Sequence, residues 1–423
     1  MNRSRHHIVA ILCLGLLAVT TLALIPYSLT ESPSRQQQQQ PAAAIISAIG
    51  SDAKAASKAT AAMEPVFDAA VWYAARNEAP ETHGLLIESL NHDKLFASHN
   101  ADEVFNPASL IKLATSLVAL KKLGADYRFR TQVYADGQVD EQGNFRGLLY
   151  FMGSDPTFGD AGAAMIAAEL RSRGIKRVQG GVMVSPGFCF NFSESPEDSA
   201  ARLGRALRLG NVTTGVAGGT SGSRLFTLDS CPLRDVLLYM NARSSNFMAE
   251  GIGGAVGGPN AVQKFLIEEL KLPASQVTIA RVSGREHNRM TPRGLLTVIR
   301  ALVEEAARQG LLPEDIMPVA SDDAGTLRRR LAGTGLEGAV VGKTGTLTYE
   351  VDGGMASLAG IVYTYDKGMI VFAILDKGNR IWDNRQMEDQ LLSEVINSQA
   401  SPMAIANLSP RQLLPTSNLR IEK

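Results

Sequence analysis

Ser109-Leu110-Ile111-Lys112 sets a hydroxyl and an amine three residues apart. Pro107 ahead of it, and Leu110, Leu113, Leu117 and Leu120 at helical spacing, predict a helix from Ala108 to Leu123 that ends at Gly124. At i, i+3 the two groups lie on one helix face. A lysine whose pKa is lowered by partial desolvation and by neighbouring cations can take the serine proton. The positive end of the helix favours the oxyanion formed when that serine attacks a carbonyl. The spacing alone decides nothing, since a chain of 423 residues shows about one copy by chance. Ser51-Asp52-Ala53-Lys54 is a second copy, set in a low-complexity stretch with no fold to activate it.

Two later segments change the weight of Ser109. Ser244-Ser245-Asn246 supplies a hydroxyl and an amide, and Lys343-Thr344-Gly345 follows on a strand edge. Lys-Thr-Gly is rarer, at about 0.1 per chain of this size. In this order, with a helix for the first and a strand for the third, the set is the one used by serine β-lactamases and penicillin-binding proteins.

The elements around these motifs predict an α/β fold, an antiparallel sheet flanked by helices whose strands lie far apart in sequence. Gly84 to Leu90 and Leu95 to His99 read as a hairpin, while Gly338–Thr346, Ala356–Tyr365 and Met369–Leu375 are later strands before a helix from Trp382 to Asn397. Glu64 to Arg76 reads as a helix with Val66, Ala70, Val71 and Trp72 toward the core. Further helices are expected over Ala163–Arg173, Pro232–Met240, Asn260–Leu270 and Pro292–Ala307, the last capped by Thr291. Short strand patterns between Tyr127 and Phe192 mark one smaller inserted domain, and Gly210 to Gly222 reads as a loop. The expected organisation is a signal or anchor at 1–30, a linker at 31–62, a catalytic domain at 63–126 and 200–397, an inserted domain at 127–199 and a tail at 398–423.

Phe105-Asn106-Pro107-Ala108-Ser109, Gly153-Ser154-Asp155-Pro156-Thr157, Gly325-Thr326-Leu327, Lys343 through Leu347 and Ser357-Leu358-Ala359-Gly360 together resemble the D-alanyl-D-alanine carboxypeptidase/endopeptidase family of penicillin-binding proteins. The resemblance runs from about Glu64 to Asn397, and the Gly-x-Asp-Pro-Thr segment separates the chain from ordinary β-lactamases. It implies a β-lactamase/transpeptidase-like fold and cleavage of the bond between two terminal D-alanines, with peptidoglycan stem peptides as substrate and β-lactams as covalent inhibitors. Ser109 would be the nucleophile, Lys112 the general base, Ser244 the proton relay and Asn246 a substrate hydrogen-bonding group. Lys343 and Thr344 would hold the terminal carboxylate on the strand that carries Gly345, and the N–H groups of Ser109 and Thr346 would form the oxyanion hole. Asp155 resembles the acid that reaches from the inserted module to the stem's free amine; as an Asp-Pro turn residue it has a second reading. Arg285, with Arg289 behind it, corresponds to the stem-binding arginine. No cofactor and no metal is implied.

The chain departs from that family in three places. Ser244 follows Lys112 by 132 positions, closer than in large members, so a second inserted domain is read as missing and endopeptidase action on cross-links is in question. The Val282–Asn288 loop is one residue short, and the turn after Lys343-Thr344-Gly345 is long, bringing Glu350 and Asp352 near the entry. Two other functions remain open in the same fold: a β-lactamase or esterase, for which the class A Glu-x-x-x-Asn element is not found, and a non-catalytic wall-binding protein.

Arg3, Arg5 and an uncharged run from Ile8 to Ile25 form an export signal, either cleaved or retained as an inner-membrane anchor. A periplasmic or cell-envelope location follows, with membrane contact only through residues 8–25. Lys plus Arg and Asp plus Glu number 42 each, so no global charge favours nucleic acid. In an oxidising compartment Cys189 and Cys231 either pair or stay as buried thiols. His83, His92, His99 and His287 lack zinc-enzyme spacing and read as turn or surface residues.

Overall fold

The computed structural model describes residues 63–405 and 411–423. The apolar run at 8–25, the linker to residue 62 and the second Ser-x-x-Lys at Ser51 lie outside them. In chain order the elements are α1 (Ala69–Ala74), β1 (His83–Ser89), β2 (Leu95–His99) and α2 (Ile111–Leu123). Then come β3 (Arg130–Val139), β4 (Asn144–Gly153), α3 (Asp160–Ser172), β5 (Arg177–Val184), α4 (Pro196–Leu207), β6 (Thr213–Val216) and β7 (Ser223–Asp229). Helices α5 (Leu233–Arg243), α6 (Asn246–Ala255), α7 (Gly258–Glu268) and α8 (Pro292–Arg308) follow. The chain returns through β8 (Val340–Leu347), β9 (Met355–Tyr363), β10 (Met369–Lys377), α9 (Ile381–Asn397) and β11 (Arg420–Glu422).

The first sheet is antiparallel, in the order β2-β1-β10-β9-β8, so β8 is an edge. Helices cover both faces. Val341, Ala359, Ile361, Val371, Ala373 and Leu375 pack with α2, α5 and α8, whereas Leu85, Ile87, Leu358, Phe372 and Ile374 pack with α1 and α9. With both faces covered, β9 is buried at every position. That is why these strands read as continuous apolar runs without alternation. Each of these fully buried large side chains contributes about 1.5–3 kcal/mol relative to exposure.

The second sheet, β11-β7-β3-β4-β5-β6, is mixed, with β4–β5 and β5–β6 parallel, and α3 and α4 pack on it. Its strands run past residue 199 to Asp229, and Arg420–Glu422 of the tail adds to its edge against β7.

The helix expected over Glu64–Arg76 is shorter. Val66 and Phe67 donate to Leu95 and Phe96 carbonyls, which holds that stretch extended along β2. Asp68 then caps α1, whose buried face is Ala69, Trp72 and Tyr73; Val66 and Val71 face solvent. Within the expected loop at 210–222, β6 pairs with β5. His83 is not a surface residue: it begins β1 on the α9 face, is 1% exposed, and its Nδ1 lies 2.7 Å from Asp376 Oδ1. Cys189 and Cys231 are both free and buried, and their thiols donate to different carbonyls, those of Asp155 and Pro415. Among the described residues no helix is long and apolar enough to cross a membrane.

Candidate active site

Ser109 stands in a single 3-10 turn, Ala108–Leu110, that leads into α2. Ala108 is in the left-handed region at φ 52°, uncommon for a residue with a Cβ. Asn106 holds it there, since its Oδ1 accepts from the Ala108 N–H at 3.1 Å. On the other side β8 presses against the turn. A Cβ at Gly345 would lie 2.1 Å from Ser357 Oγ and 2.9 Å from the Pro107 carbonyl, so only glycine fits there.

One turn along, the fully buried Lys112 places Nζ 2.9 Å from Ser109 Oγ and 2.8 Å from Asn246 Oδ1, and it also donates to the Ser283 carbonyl. Thr115 fixes that third segment by donating to the Val282 carbonyl at 2.8 Å. Burial lowers the Lys112 pKa to about 7; the Glu250 charge opposes the shift and that of Arg285 adds to it. The amine is therefore close to half neutral near pH 7.

Ser244 closes α5 in the left-handed conformation (φ 52°), and Ser245 caps α6, so Asn246 enters as that helix's first residue. This reversal brings the Ser244 hydroxyl to Lys343, whose Nζ donates to it at 2.9 Å and to the Thr344 carbonyl at 2.6 Å. Burial, and then the Lys112 charge, hold the Lys343 pKa well below the ordinary lysine value. Thr344 donates to Thr326 at 2.7 Å, which places Gly325-Thr326-Leu327 behind β8. The side chains thus form two hydrogen-bonded groups beside the edge strand that carries Thr344, Gly345 and Thr346: Lys112 with Ser109 and Asn246, and Lys343 with Ser244. They are close enough for the Lys112 charge to act on Lys343.

A groove of about 650 Å³ opens from Asn246 between α6 and the second sheet's loops. Ser154, Pro156, Glu250, Ser283 and the exposed Arg285 line it. Asp155 does not reach its surface. It is 3% exposed, and Oδ1 accepts from the N–H and hydroxyl of Thr157 at 2.8 and 2.7 Å. Burial raises its pKa to about 6.

Three further residues at the site were given no role from the sequence. Glu250 lies one turn after Asn246 and accepts from the Ser283 N–H at 3.2 Å. Asn106 Nδ2 donates to the Glu286 carbonyl at 2.8 Å and to Asp352 Oδ2 at 2.6 Å. Asp352 also receives Arg289, at 2.7 and 3.2 Å, and lies 3.0 Å from His287 Nδ1. Arg289 is thus spent on the long turn after β8, while Arg285 faces the groove, as does Arg281, which pairs with Glu286 at 2.8 Å. The i, i+4 spacing from Asn246 was a signal for Glu250; the long turn after Lys343-Thr344-Gly345 placed Asp352 near the entry, but no pattern named its partners.

The D-Ala-D-Ala carboxypeptidase 3 (S13) family model matches residues 73–197 and 190–396. Among curated relatives, a D-alanyl-D-alanine carboxypeptidase of an Actinomadura strain is 29% identical over 96 residues, 23% of this chain and 18% of that protein. The D-alanyl-D-alanine carboxypeptidase DacB of Haemophilus influenzae is 26% identical over 102 residues, 24% of this chain and 21% of that one. The matched stretches therefore span about a fifth of those relatives. A predatory endopeptidase of Bdellovibrio bacteriovorus, solved with an immunity protein, aligns with TM-score 0.66 and 22% identity over 78% of this chain and 96% of its own. Penicillin binding protein 4 of Haemophilus influenzae aligns with TM-score 0.60 and 19% identity over 74% of this chain and 96% of its own. The fold is that of these penicillin-binding proteins.

Proposed function

The chain belongs to the D-Ala-D-Ala carboxypeptidase 3 (S13) family, and from that membership we propose that it is an exported serine carboxypeptidase of the cell envelope. It removes the terminal D-alanine of peptidoglycan stem peptides through an acyl-enzyme on Ser109, and β-lactams acylate the same serine. The observation that carries this reading is the buried Lys112 amine, 2.9 Å from Ser109 Oγ with its pKa lowered to about 7.

In this reading neutral Lys112 takes the Ser109 proton as Oγ attacks the penultimate D-alanine carbonyl. The oxyanion is received by the N–H groups of Ser109 and of Thr346 on the edge strand. As the C–N bond breaks, the proton passes to the leaving amine through Ser244, whose hydroxyl Lys343 orients. Water then hydrolyses the ester and regenerates the serine. Asn246 serves twice, fixing Lys112 through Oδ1 and offering its NH₂ to the substrate backbone. The rest of the stem lies in the groove against Arg285, and Asp155 acts on it through the shape of its turn.

Labelled penicillin tests the nucleophile: the wild-type chain becomes covalently marked and Ser109→Ala does not. Marking of Ser109→Ala at the wild-type rate would sink the assignment.

Endopeptidase action is the second reading, favoured by the open groove beyond Asn246. The Bdellovibrio protein that bears this name aligns over nearly its whole length, so the short span between Lys112 and Ser244 is no argument against it. A muropeptide mixture of pentapeptides and cross-linked dimers separates the two: free D-alanine alone marks a carboxypeptidase, and loss of dimers an endopeptidase.

A further inference from the structure

The Ser283 carbonyl meets both members of the Ser109–Lys112 pair. Lys112 Nζ donates to it, and Ser109 Oγ lies 3.5 Å from it. The segment that carries this carbonyl is tied at every residue. Asn288 Oδ1 accepts from the N–H groups of Ala280 and Arg281 at 2.9 and 3.2 Å, and Thr115 holds the Val282 carbonyl. Gly284, at φ 86°, abuts the Ser109 turn so closely that a Cβ there would lie 2.1 Å from the Ala108 carbonyl oxygen. The tie at Ser283 itself comes from Glu250, which accepts its N–H at 3.2 Å. Of these ties it alone carries a formal charge.

Helix periodicity explains how Glu250 comes to be there. It follows Asn246 by four positions on α6, so it shares a helix face with the amide that accepts from Lys112. The charges acting on the buried Lys112 amine come from Glu250 on α6 and from Arg285 on the loop, and Lys343 on β8 lies within reach of the Lys112 charge. Arg281, which also lines the groove, feels the Glu250 charge but takes Glu286 as its partner, at 2.8 Å. Burial is the largest influence on Lys112; Glu250 works against it and Arg285 with it. Glu250 is therefore the anion set against two cations and a dry pocket.

We propose that Glu250 is a positioning residue for the general base: through the Ser283 N–H it holds in place the carbonyl that receives Lys112, and its charge offsets the cations around that amine. The inference rests on the acyl-enzyme reading with Lys112 as base. The two tasks separate by substitution. Glu250→Gln keeps an oxygen to accept the Ser283 N–H and loses the charge, whereas Glu250→Ala loses both.

The test is the rate of acylation by benzylpenicillin, read by stopped flow from about pH 5 to pH 9 on the full chain and both variants. In Glu250→Gln the acidic limb of the profile moves to lower pH, because loss of the anion favours the neutral amine. Its plateau stays within about threefold of wild type, a neutral acceptor having replaced a charged one. In Glu250→Ala the limb moves the same way and the plateau falls by about 10- to 100-fold, the cost of a displaced base. A contact that served only to hold the loop would lower the plateau and leave the limb in place. A Glu250→Gln limb that coincides with a sloping wild-type limb overturns the proposed role alone, as does a Glu250→Gln plateau more than about tenfold below wild type. This variant decides the matter even if Glu250→Ala does not fold. A wild-type chain whose labelling is independent of pH, or that penicillin does not label, overturns the reading of Lys112 as base and the role of Glu250 with it.

Discussion

Two of the buried polar clusters, the lysines of the active site and the Arg330 and His83 groups, lie on opposite faces of the five-stranded sheet, and their partners differ in kind; the α2 face also holds the Arg300–Glu88 ion pair, at 2.7 Å. On the α2 face, Lys112 and Lys343 are bonded only to hydroxyl, amide and carbonyl oxygens, those of Ser109, Asn246, Ser283, Ser244 and Thr344. On the α9 face, Arg330 binds Glu388 at 2.8 Å and Asp389 at 2.7 Å, and His83 meets Asp376 under the ring of Tyr73, stacked 4.2 Å away. Neutral partners leave burial as the largest influence, so both lysines are pushed toward the neutral amine. On the far face burial is opposed, for Glu388 by the Arg330 charge and for Asp376 first by the hydrogen bond with His83, though both carboxyls are still shifted upward. The first arrangement frees a proton for transfer, and the second ties two helices and a strand together.

The sharpest way to break this contrast is to remove one cation from each face. Lys112→Met deletes the base, and penicillin acylation is expected to fall by about 10²–10⁴-fold, read by stopped flow. The melting temperature is expected to hold or rise, because the substitution replaces a desolvated amine with an apolar side chain of similar length. Arg330→Met is expected to do the reverse. It strands Glu388 and Asp389, costs about 3–5 kcal/mol in denaturant unfolding, and leaves acylation of the folded protein within about threefold. A large stability loss from Lys112→Met, or none from Arg330→Met, would mean that the two faces do not differ as described.

A smaller and graded effect comes from pH. Lys112 is the base only when neutral and its pKa is lowered to about 7. Acylation therefore rises about tenfold per pH unit below that value and levels off above it. A flat profile between about pH 5 and pH 8 would assign the base elsewhere.

The difference between the faces also explains what the sequence disclosed. Ser109, Lys112, Ser244, Asn246 and Lys343 were legible because acyl transfer needs those side chains at fixed local spacings, and the long apolar strands because helices cover both faces. Helix α6 was not read, since Gly251, Gly253 and Gly254 disfavour a helix. Two of these glycines are there for close approach: a Cβ at Gly251 would lie 2.8 Å from Pro156, and one at Gly253 would lie 2.4 Å from Val282. Helix α4 carried its signals, Ser195 as cap and Pro196 in the first turn, but its polar start resembled a loop. The Asp352 contacts and the His83–Asp376 pair join segments dozens to hundreds of positions apart, and no local pattern encodes them.

Asp352 tests the boundary between the two regimes, because it is an ion-paired carboxylate placed at the mouth of the lysine site. Burial alone would raise its pKa, but hydrogen bonds from Arg289, Asn106 and His287 hold it well below the carboxylate range. The sign follows from linkage. A depressed carboxylate stabilises the fold fully above the ordinary value near 4 and loses that contribution as pH falls below it. Asp352→Asn keeps the shape and removes the charge. Asn106 then keeps its bonds to Ala108 and the Glu286 carbonyl, so the Ser109 turn is weakened but not released. Acylation at about neutral pH is expected to fall by tenfold or less, with the loss in acylation rate and little change in penicillin affinity. The acid unfolding midpoint should move up, read by circular dichroism against pH. An Asp352→Asn chain with wild-type acylation and an unmoved acid midpoint would show that the long turn after β8 is only appended to the site.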